Sequence, residues 1–161
     1  MKIRKLNRMQ GFDYSKTKSY FFTIVTKDRI CHFGSIENNV MQLSNSGKII
    51  EKQWNWILEQ YPYVQSNSFV IMPNHVHGIL EINAEYYGSK NEEGGLKKIK
   101  SLSQLLGAFK TTSSKQIHQQ GNIDFFWQRS FHDRIIKNQR SSDIIKKYIE
   151  NNPINEKKNH P

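Results

Sequence analysis

The stretch Ser68-Phe-Val-Ile-Met-Pro-Asn-His75-Val-His77-Gly-Ile-Leu-Glu-Ile82 decides the fold, because it holds two strands separated by a break. Residues 68–72 are apolar and rich in strand-forming types, and Pro73-Asn74 interrupts them. From residue 75 onward, side chains alternate between two faces with the two-residue period of a strand. One face is predicted to carry Val76, Gly78, Leu80 and Ile82, and the other His75, His77, Ile79 and Glu81.

Outward from this stretch, apolar periodicity predicts three helices and further strands. The predicted elements are a strand over 19–26, a turn-like segment over 28–39, a helix over 44–60 capped by Ser44 or Ser46, a helix over 102–118, a short strand over 125–127, and a helix over 141–152 capped by Ser141 or Ser142. Strands interrupted by helices in this order indicate an α+β fold, an antiparallel sheet with the helices packed on one face.

A length of 161 residues fits a single domain. Residues 1–18 are basic and polar, and we interpret them as an arm. Residues 83–100 are polar and contain three glycines, which indicates a flexible linker, and residues 153–161 form a polar tail.

Charge indicates a polyanionic partner. The formal net charge is +10, from 24 Lys and Arg against 14 Asp and Glu. Nucleic acid is the obvious candidate. A lysine-rich composition without special function explains the charge equally well. Binding to an anionic membrane surface would need a basic amphipathic helix, and no such helix is evident in the sequence. The single Cys31 excludes an internal disulfide and favours the reduced cytoplasm. We expect no membrane-spanning segment, because no apolar run approaches about 20 residues.

His75 and His77 are candidate metal ligands. Residues i and i+2 of a strand point the same way, so the two imidazoles would leave one face about 6 to 7 Å apart at the backbone. Two such rings can converge on one metal ion. The alternative is a pair of surface or hydrogen-bonded histidines on the open face of a sheet.

Tyr148 and Asn152 are four residues apart, which places them on one side of a helix. Tyr148 could therefore present its hydroxyl beside an amide oxygen. The alternative is a core tyrosine within the stripe of Ile144, Ile145 and Ile149, followed by an ordinary helix-terminal asparagine.

Aromatic and cationic residues interleave near Trp127, Arg129 and Arg134, a pattern that suits stacking on unpaired bases and contact with phosphates. An edge strand with a mixed face would give the same pattern. Lys110 and Lys115 on the second predicted helix, with the lysines before it, could form a phosphate track or a solvated helix face.

Six segments, in order along the chain, resemble one known family. They are residues 12–15 (FDYS), 20–24 (YFFTI), 69–78 (FVIMPNHVHG), 105–110 (LLGAFK), 126–133 (FWQRSFHD) and 148–153 (YIENNP). Together they resemble the HUH transposases that use one tyrosine, and more narrowly the REP-associated tyrosine transposases and their insertion-sequence relatives. The resemblance covers nearly the whole chain.

The resemblance implies a ferredoxin-like sheet and an enzyme that cuts and rejoins single-stranded DNA beside a hairpin. It implies that His75 and His77 bind a divalent cation, Mg²⁺ or Mn²⁺. Tyr148 corresponds to the nucleophile that forms a 5′-phosphotyrosine. Asn152 stands where relatives place a third ligand, with the adjacent Asn151 as the alternative. Relatives include both monomers and dimers that share active sites, so a homodimer is possible.

One segment departs from the family pattern, because His132-Asp133-Arg134 stands where many relatives have an aromatic residue, an acid and a histidine. Two other functions also fit the sequence. A non-catalytic single-stranded nucleic-acid-binding regulator on the same fold would bind DNA without cutting it. A metal-dependent phosphoesterase would activate water with the histidine pair and would not need Tyr148.

Overall fold

The computed structural model describes residues 18–83 and 99–153. Nearly all of the predicted arm, most of the predicted linker and most of the tail lie outside these residues, as do the family-like residues 12–15.

Six strands, three α-helices and one short 3-10 turn (Lys27–Arg29) make up the described residues. The strands and α-helices are β1 (Lys18–Val25), β2 (Gly34–Glu37), β3 (Val40–Leu43), α1 (Asn45–Gln60), β4 (Val64–Met72), β5 (His75–Ile82), α2 (Leu102–Gln119), β6 (His132–Ile136) and α3 (Gln139–Glu150). A four-stranded sheet has the order β4-β5-β1-β6, with every neighbouring pair antiparallel. Strands β2 and β3 form a separate hairpin. The predicted α+β class and antiparallel sheet are confirmed.

Helices α1 and α2 cover one face of the sheet and bury the main core. On β1, alternate residues Tyr20, Phe22 and Ile24 are fully buried in that core. Gly78 faces the same side, where a Cβ atom would lie 2.7 Å from Cζ of Phe22 and 3.1 Å from a ring carbon of Phe69. Glycine is therefore required there, because the aromatic rings already fill the space.

Helix α3 lies on the opposite face of the sheet, so the three helices do not all share one face as the sequence had suggested. Its two buried residues, Ile145 and Ile149, pack against Ile79, and partly buried Phe21 and Val70 surround them. These sheet residues belong to the second alternating set of β1, β4 and β5. These apolar sheet residues bury the narrow apolar stripe of α3, which would otherwise be exposed to water.

Several short segments between the core elements differ from the predicted ones. Residues 125–127 form only an isolated bridge, between Trp127 and Thr26, and the fourth strand is β6 instead. The turn-like segment contains β2. Ser44 caps α1 as predicted, whereas α3 starts earlier than predicted and is capped by Asn138. Across residues 18–83 and 99–153, no helix is long and apolar enough to cross a membrane.

Candidate active site and nucleic-acid interface

The two histidines stand side by side on β5, on the face that α3 covers. His77 is paired across the sheet with Thr23 of β1, and His75 with Val25. The ring centroids of His75 and His77 lie 4.5 Å apart, at 73° to each other. The two-residue strand period therefore brings the imidazoles together as the sequence predicted.

Hydrogen bonds hold one nitrogen of each ring. His77 Nδ1 lies 2.7 Å from the Thr23 hydroxyl, and His75 Nδ1 lies 2.6 Å from Oδ1 of Asn74. The Asn74 amide nitrogen donates to the Arg29 carbonyl at 3.2 Å, which directs its oxygen toward His75. An amide oxygen only accepts, so His75 Nδ1 carries the hydrogen and its Nε2 keeps a lone pair.

Burial keeps both imidazoles neutral at physiological pH. Desolvation lowers the pKa of His75 to about 4, with a hydrogen bond to the Asn152 side chain opposing the decrease and the Arg29 charge adding to it. Desolvation, together with the neighbouring His75, lowers the pKa of His77 to about 3. A neutral imidazole is the form that can donate an electron pair to a metal.

The structure separates the two asparagines at the end of α3. Asn152 is 8% exposed and its side chain hydrogen-bonds His75, whereas the neighbouring Asn151 is exposed. Asn152 lies two residues beyond the end of α3, and its side chain reaches the histidine pair from there, next to the helix that carries Tyr148.

Tyr148 lies in a cleft rather than in the core. Its side chain is 48% exposed, and its ring centroid is 5.5 Å from that of His77 and 6.3 Å from that of Phe21. The core interpretation of this tyrosine was wrong, since Ile145 and Ile149 anchor the helix and leave Tyr148 at the edge of their contact. The cleft measures about 480 Å³ and also reaches Arg134 of β6.

Two predicted DNA contacts have structural roles instead. Trp127 is only 9% exposed, and its indole N–H donates to the Ser113 hydroxyl inside the core. The Lys110 ammonium donates to the carbonyls of Gln128 and Arg129 at 2.6 and 3.1 Å. Lys110 therefore holds the loop that follows Trp127, and Trp127 is too buried to stack on a base.

Three other cationic contacts were predicted. Arg134 lines the Tyr148 cleft, whereas Lys115 and Arg129 line a shallow groove beside the exposed ring of Phe126. Nothing in the sequence distinguishes Phe126 from its aromatic neighbours Phe125 and Trp127. Nor was a role predicted for Thr23 and Asn74, the residues that hold the histidine rings. Asn74 immediately precedes His75, and that adjacency was the one available signal.

Residues 95–152 match the family model described as Transposase IS200 like. The chain belongs to the IS200-like transposase family. The matched segment contains α2, β6 and α3, and with them both Tyr148 and Asn152. The histidine strand β5 precedes it.

Similar proteins cover most of the chain. An uncharacterized protein of Haemophilus influenzae is 35% identical over 159 residues, which include 94% of this chain and 88% of that protein. A REP-associated tyrosine transposase bound to a REP hairpin has a similar fold, with a TM-score of 0.63, 18% identity, and coverage of 97% of this chain and 74% of that one. A predicted transposase from Deinococcus radiodurans gives a TM-score of 0.52 at 15% identity, covering 89% of this chain and 95% of that one.

Proposed function

We propose that this member of the family nicks and rejoins single-stranded DNA, with Tyr148 as the nucleophile and a divalent cation held by His75, His77 and Asn152. One observation carries the proposal: half-exposed Tyr148 lies 5.5 Å, ring to ring, from buried His77, whose ring stands beside that of partly buried His75. A tyrosine with only a packing role would be buried, whereas Tyr148 lines an open cleft together with His77.

The donor set fits a divalent cation. Among residues 18–83 and 99–153, no three His, Cys, Asp or Glu side chains form a metal-binding group, so the third donor would be the amide of Asn152. Both rings are neutral, and both have Nδ1 engaged by a partner, as is usual for histidines that bind metal through Nε2. Imidazole donors favour Mn²⁺ over Mg²⁺. A bound cation would polarise a nonbridging phosphate oxygen and offset charge in the transition state.

In the proposed reaction, the Tyr148 oxygen attacks the scissile phosphorus. A bond forms between that oxygen and phosphorus, and the bond from phosphorus to the 3′ oxygen breaks. The phenolic proton is lost to solvent and the 3′ oxygen takes up a proton, leaving a 5′-phosphotyrosine and a free 3′-hydroxyl. Attack by a 3′-hydroxyl on the phosphotyrosine reverses these bond changes, so rejoining needs no external energy source.

The rest of the cleft would position the strand. Phe21 packs edge-on against the Tyr148 ring with a centroid distance of 6.3 Å, which restricts its orientation. Arg134 is paired with Phe21 across the sheet and lines the same cleft. Its guanidinium would bind a phosphate oxygen of the strand.

The partner we propose is single-stranded DNA next to a hairpin. The related REP-associated transposase is bound to a REP hairpin, and the net charge of +10 supports binding to a nucleic acid. The exposed cleft, open at Tyr148, suits an unpaired strand because the reacting phosphate must approach the phenol from solvent.

Covalent trapping tests the proposal. Purified protein is mixed with end-labelled single-stranded DNA from both flanks of its gene, with Mn²⁺ or Mg²⁺, and run on a denaturing gel. We expect a metal-dependent protein–DNA band that Tyr148→Phe abolishes. Tyr61→Phe is the matched control, because Tyr61 lies at the end of α1, away from the cleft, and should keep the band.

Other outcomes identify the competing functions. DNA binding without any band at any metal concentration would favour the non-catalytic regulator. Metal-dependent cleavage that persists in Tyr148→Phe without an adduct would favour the phosphoesterase. A band that survives in Tyr148→Phe would assign the nucleophile to another tyrosine.

A further inference from the structure

Phe126 is an exposed aromatic ring between two buried ones. Phe125 is fully buried and Trp127 nearly so, because both point into the helix-covered core, whereas Phe126 is 50% exposed. Alternation along an extended segment explains the contrast. A large exposed aromatic ring that the core does not require is a candidate contact surface.

Cations surround this ring. The Lys27 ammonium lies 5.7 Å from the centroid of the Phe126 ring. Arg29 and Arg129 line the hollow on the same side, with Asp28 as its one acidic residue, and Lys115 and Arg129 line the hollow on the α2 side. We call this surface, formed by Lys27, Arg29, Lys115, Phe126 and Arg129, the Phe126 groove. Its combination of positive charge and an exposed ring matches a nucleic-acid strand with unpaired bases.

The backbone at one wall of the groove is held in an unusual conformation. Asp28 and Arg29 have φ values of 58° and 56°, in the left-handed region that non-glycine residues seldom adopt. Hydrogen bonds from Lys27 N to the Phe126 carbonyl and from the Asn74 side chain to the Arg29 carbonyl fix it. Such conformations are found preferentially at ligand-binding sites.

The Phe126 groove is close to the histidine pair. Val25 at the end of β1 is paired with His75 on one side, and its carbonyl accepts from Gln128 N on the other. Residues 126–128 are therefore two strand spacings from β5, about 10 Å. That distance corresponds to at most about three nucleotides of stacked DNA. Asn74, which contacts both Arg29 and His75, joins the two surfaces directly.

We infer that the Phe126 groove binds the DNA strand next to the scissile phosphate, with one unpaired base stacked on Phe126. Lys27, Arg29 and Arg129 bind the flanking phosphates. This inference rests on the proposed function and adds to it a second contact surface, a few nucleotides from the phosphate that Tyr148 attacks. It also replaces Trp127 with Phe126 as the stacking residue.

Binding is tested with the cleavage-deficient Tyr148→Phe chain as the parent, titrated into a short fluorescein-labelled single-stranded DNA of mixed sequence. Adding Phe126→Ala should raise Kd about 5- to 150-fold, the range found for losing one base–aromatic stack. Phe126→Trp should retain binding, and Phe126→Leu should behave like alanine because it keeps bulk but has no π face. Ile123→Ala is the matched control, since Ile123 is an exposed apolar residue outside the groove.

A second readout detects stacking itself. The same strand carrying 2-aminopurine should show fluorescence quenching that the Phe126→Ala and Phe126→Leu variants lose. Equal Kd and equal quenching in the parent and Phe126→Ala would overturn the inference, as would a parent that binds no single-stranded DNA. Because binding is measured without cleavage, the two proposals fail separately. A wild type without a covalent adduct but with Phe126-dependent binding refutes the nucleophile and keeps the groove.

Discussion

Asn74→Ala tests whether the hydrogen bond behind His75 prepares that ring to bind a cation. Asn74 accepts from His75 Nδ1 at 2.6 Å and donates to the Arg29 carbonyl at 3.2 Å. Alanine removes both bonds. It leaves the backbone carbonyl of residue 74, which accepts from Thr26 N at 2.9 Å, so the turn between β4 and β5 should persist. The expected defect is therefore local to the ring orientation and tautomer of His75.

The expected loss of Mn²⁺ affinity can be derived from the role of residues that hydrogen-bond a metal-binding histidine. Residues that hold the second nitrogen of a metal-binding histidine typically contribute 10- to 100-fold in metal affinity, so Kd for Mn²⁺ should rise by about that factor, or about 1.4 to 2.8 kcal/mol. Isothermal titration calorimetry of metal-stripped protein with Mn²⁺ measures it. Asn74→Asp is the matched control, because a carboxylate still accepts from Nδ1 and its charge favours a bound cation. We expect this variant to bind at least as tightly as the wild type.

Equal affinities of the wild type and Asn74→Ala for Mn²⁺ would refute the reasoning that the hydrogen bond from His75 Nδ1 to Asn74 prepares the ring for a cation. Equal losses in Asn74→Ala and Asn74→Asp would assign the effect to the lost bond with Arg29, which both substitutions remove. Circular dichroism melts of the three proteins separate either result from unfolding.

Three further outcomes are expected. Gly78→Ala should lower stability by about 1 to 3 kcal/mol, the usual cost of overpacking, because its Cβ would meet Phe22 at 2.7 Å. A thermal melt should show a decrease in Tm, and an unchanged Tm would contradict that packing. Since Tyr148 reaches His77 within one chain, mixing Tyr148→Phe with His77→Ala protein should not restore the covalent band, whereas restored activity would mean that copies exchange tyrosines. Finally, the pKa values of His75 and His77 are lowered in the folded protein. As pH falls, these histidines therefore bind protons in the unfolded chain, where their pKa is near 6.5, before they do so in the folded chain. The free energy of unfolding of the metal-free protein should be highest above pH 6.5 and should fall below it by about 1.4 kcal/mol per pH unit for each histidine. Urea titrations between about pH 6 and pH 5 measure this slope, which should be smaller in a His75→Gln/His77→Gln variant.

The sequence predicted the parts of the site that depend on local periodicity. His75 and His77 share a face because strands have a period of two. Asn152 follows Tyr148 by only four residues, so the chain keeps it near the tyrosine although α3 ends at Glu150. Both relationships are local in the sequence. The fold class followed for the same reason, since the stripe of α1 and the alternation of β5 are properties of short segments.

Tertiary packing decided the rest. Trp127 and Phe126 are adjacent aromatic residues, and only the docking of α2 determines which one is buried against Ser113. Likewise, the stripe of α3 could have been buried on either face of the sheet. Its placement depends on Phe21, Val70 and Ile79, which come from three different strands. Local patterns carry no information about such distant partners.

Helix α3 is attached to the sheet by only two buried side chains, Ile145 and Ile149. Burying two isoleucines contributes about 3 to 6 kcal/mol, and a helix of 12 residues is marginal on its own. The main core between the sheet and the other helices does not include it. The proposed nucleophile Tyr148 therefore lies on a helix that packs outside the main core, and we expect the sheet with α1 and α2 to stay folded when α3 is removed. A chain without α3 would then separate DNA binding from DNA cleavage, because the remaining sheet would lack Tyr148 and would keep His75, His77 and the Phe126 groove.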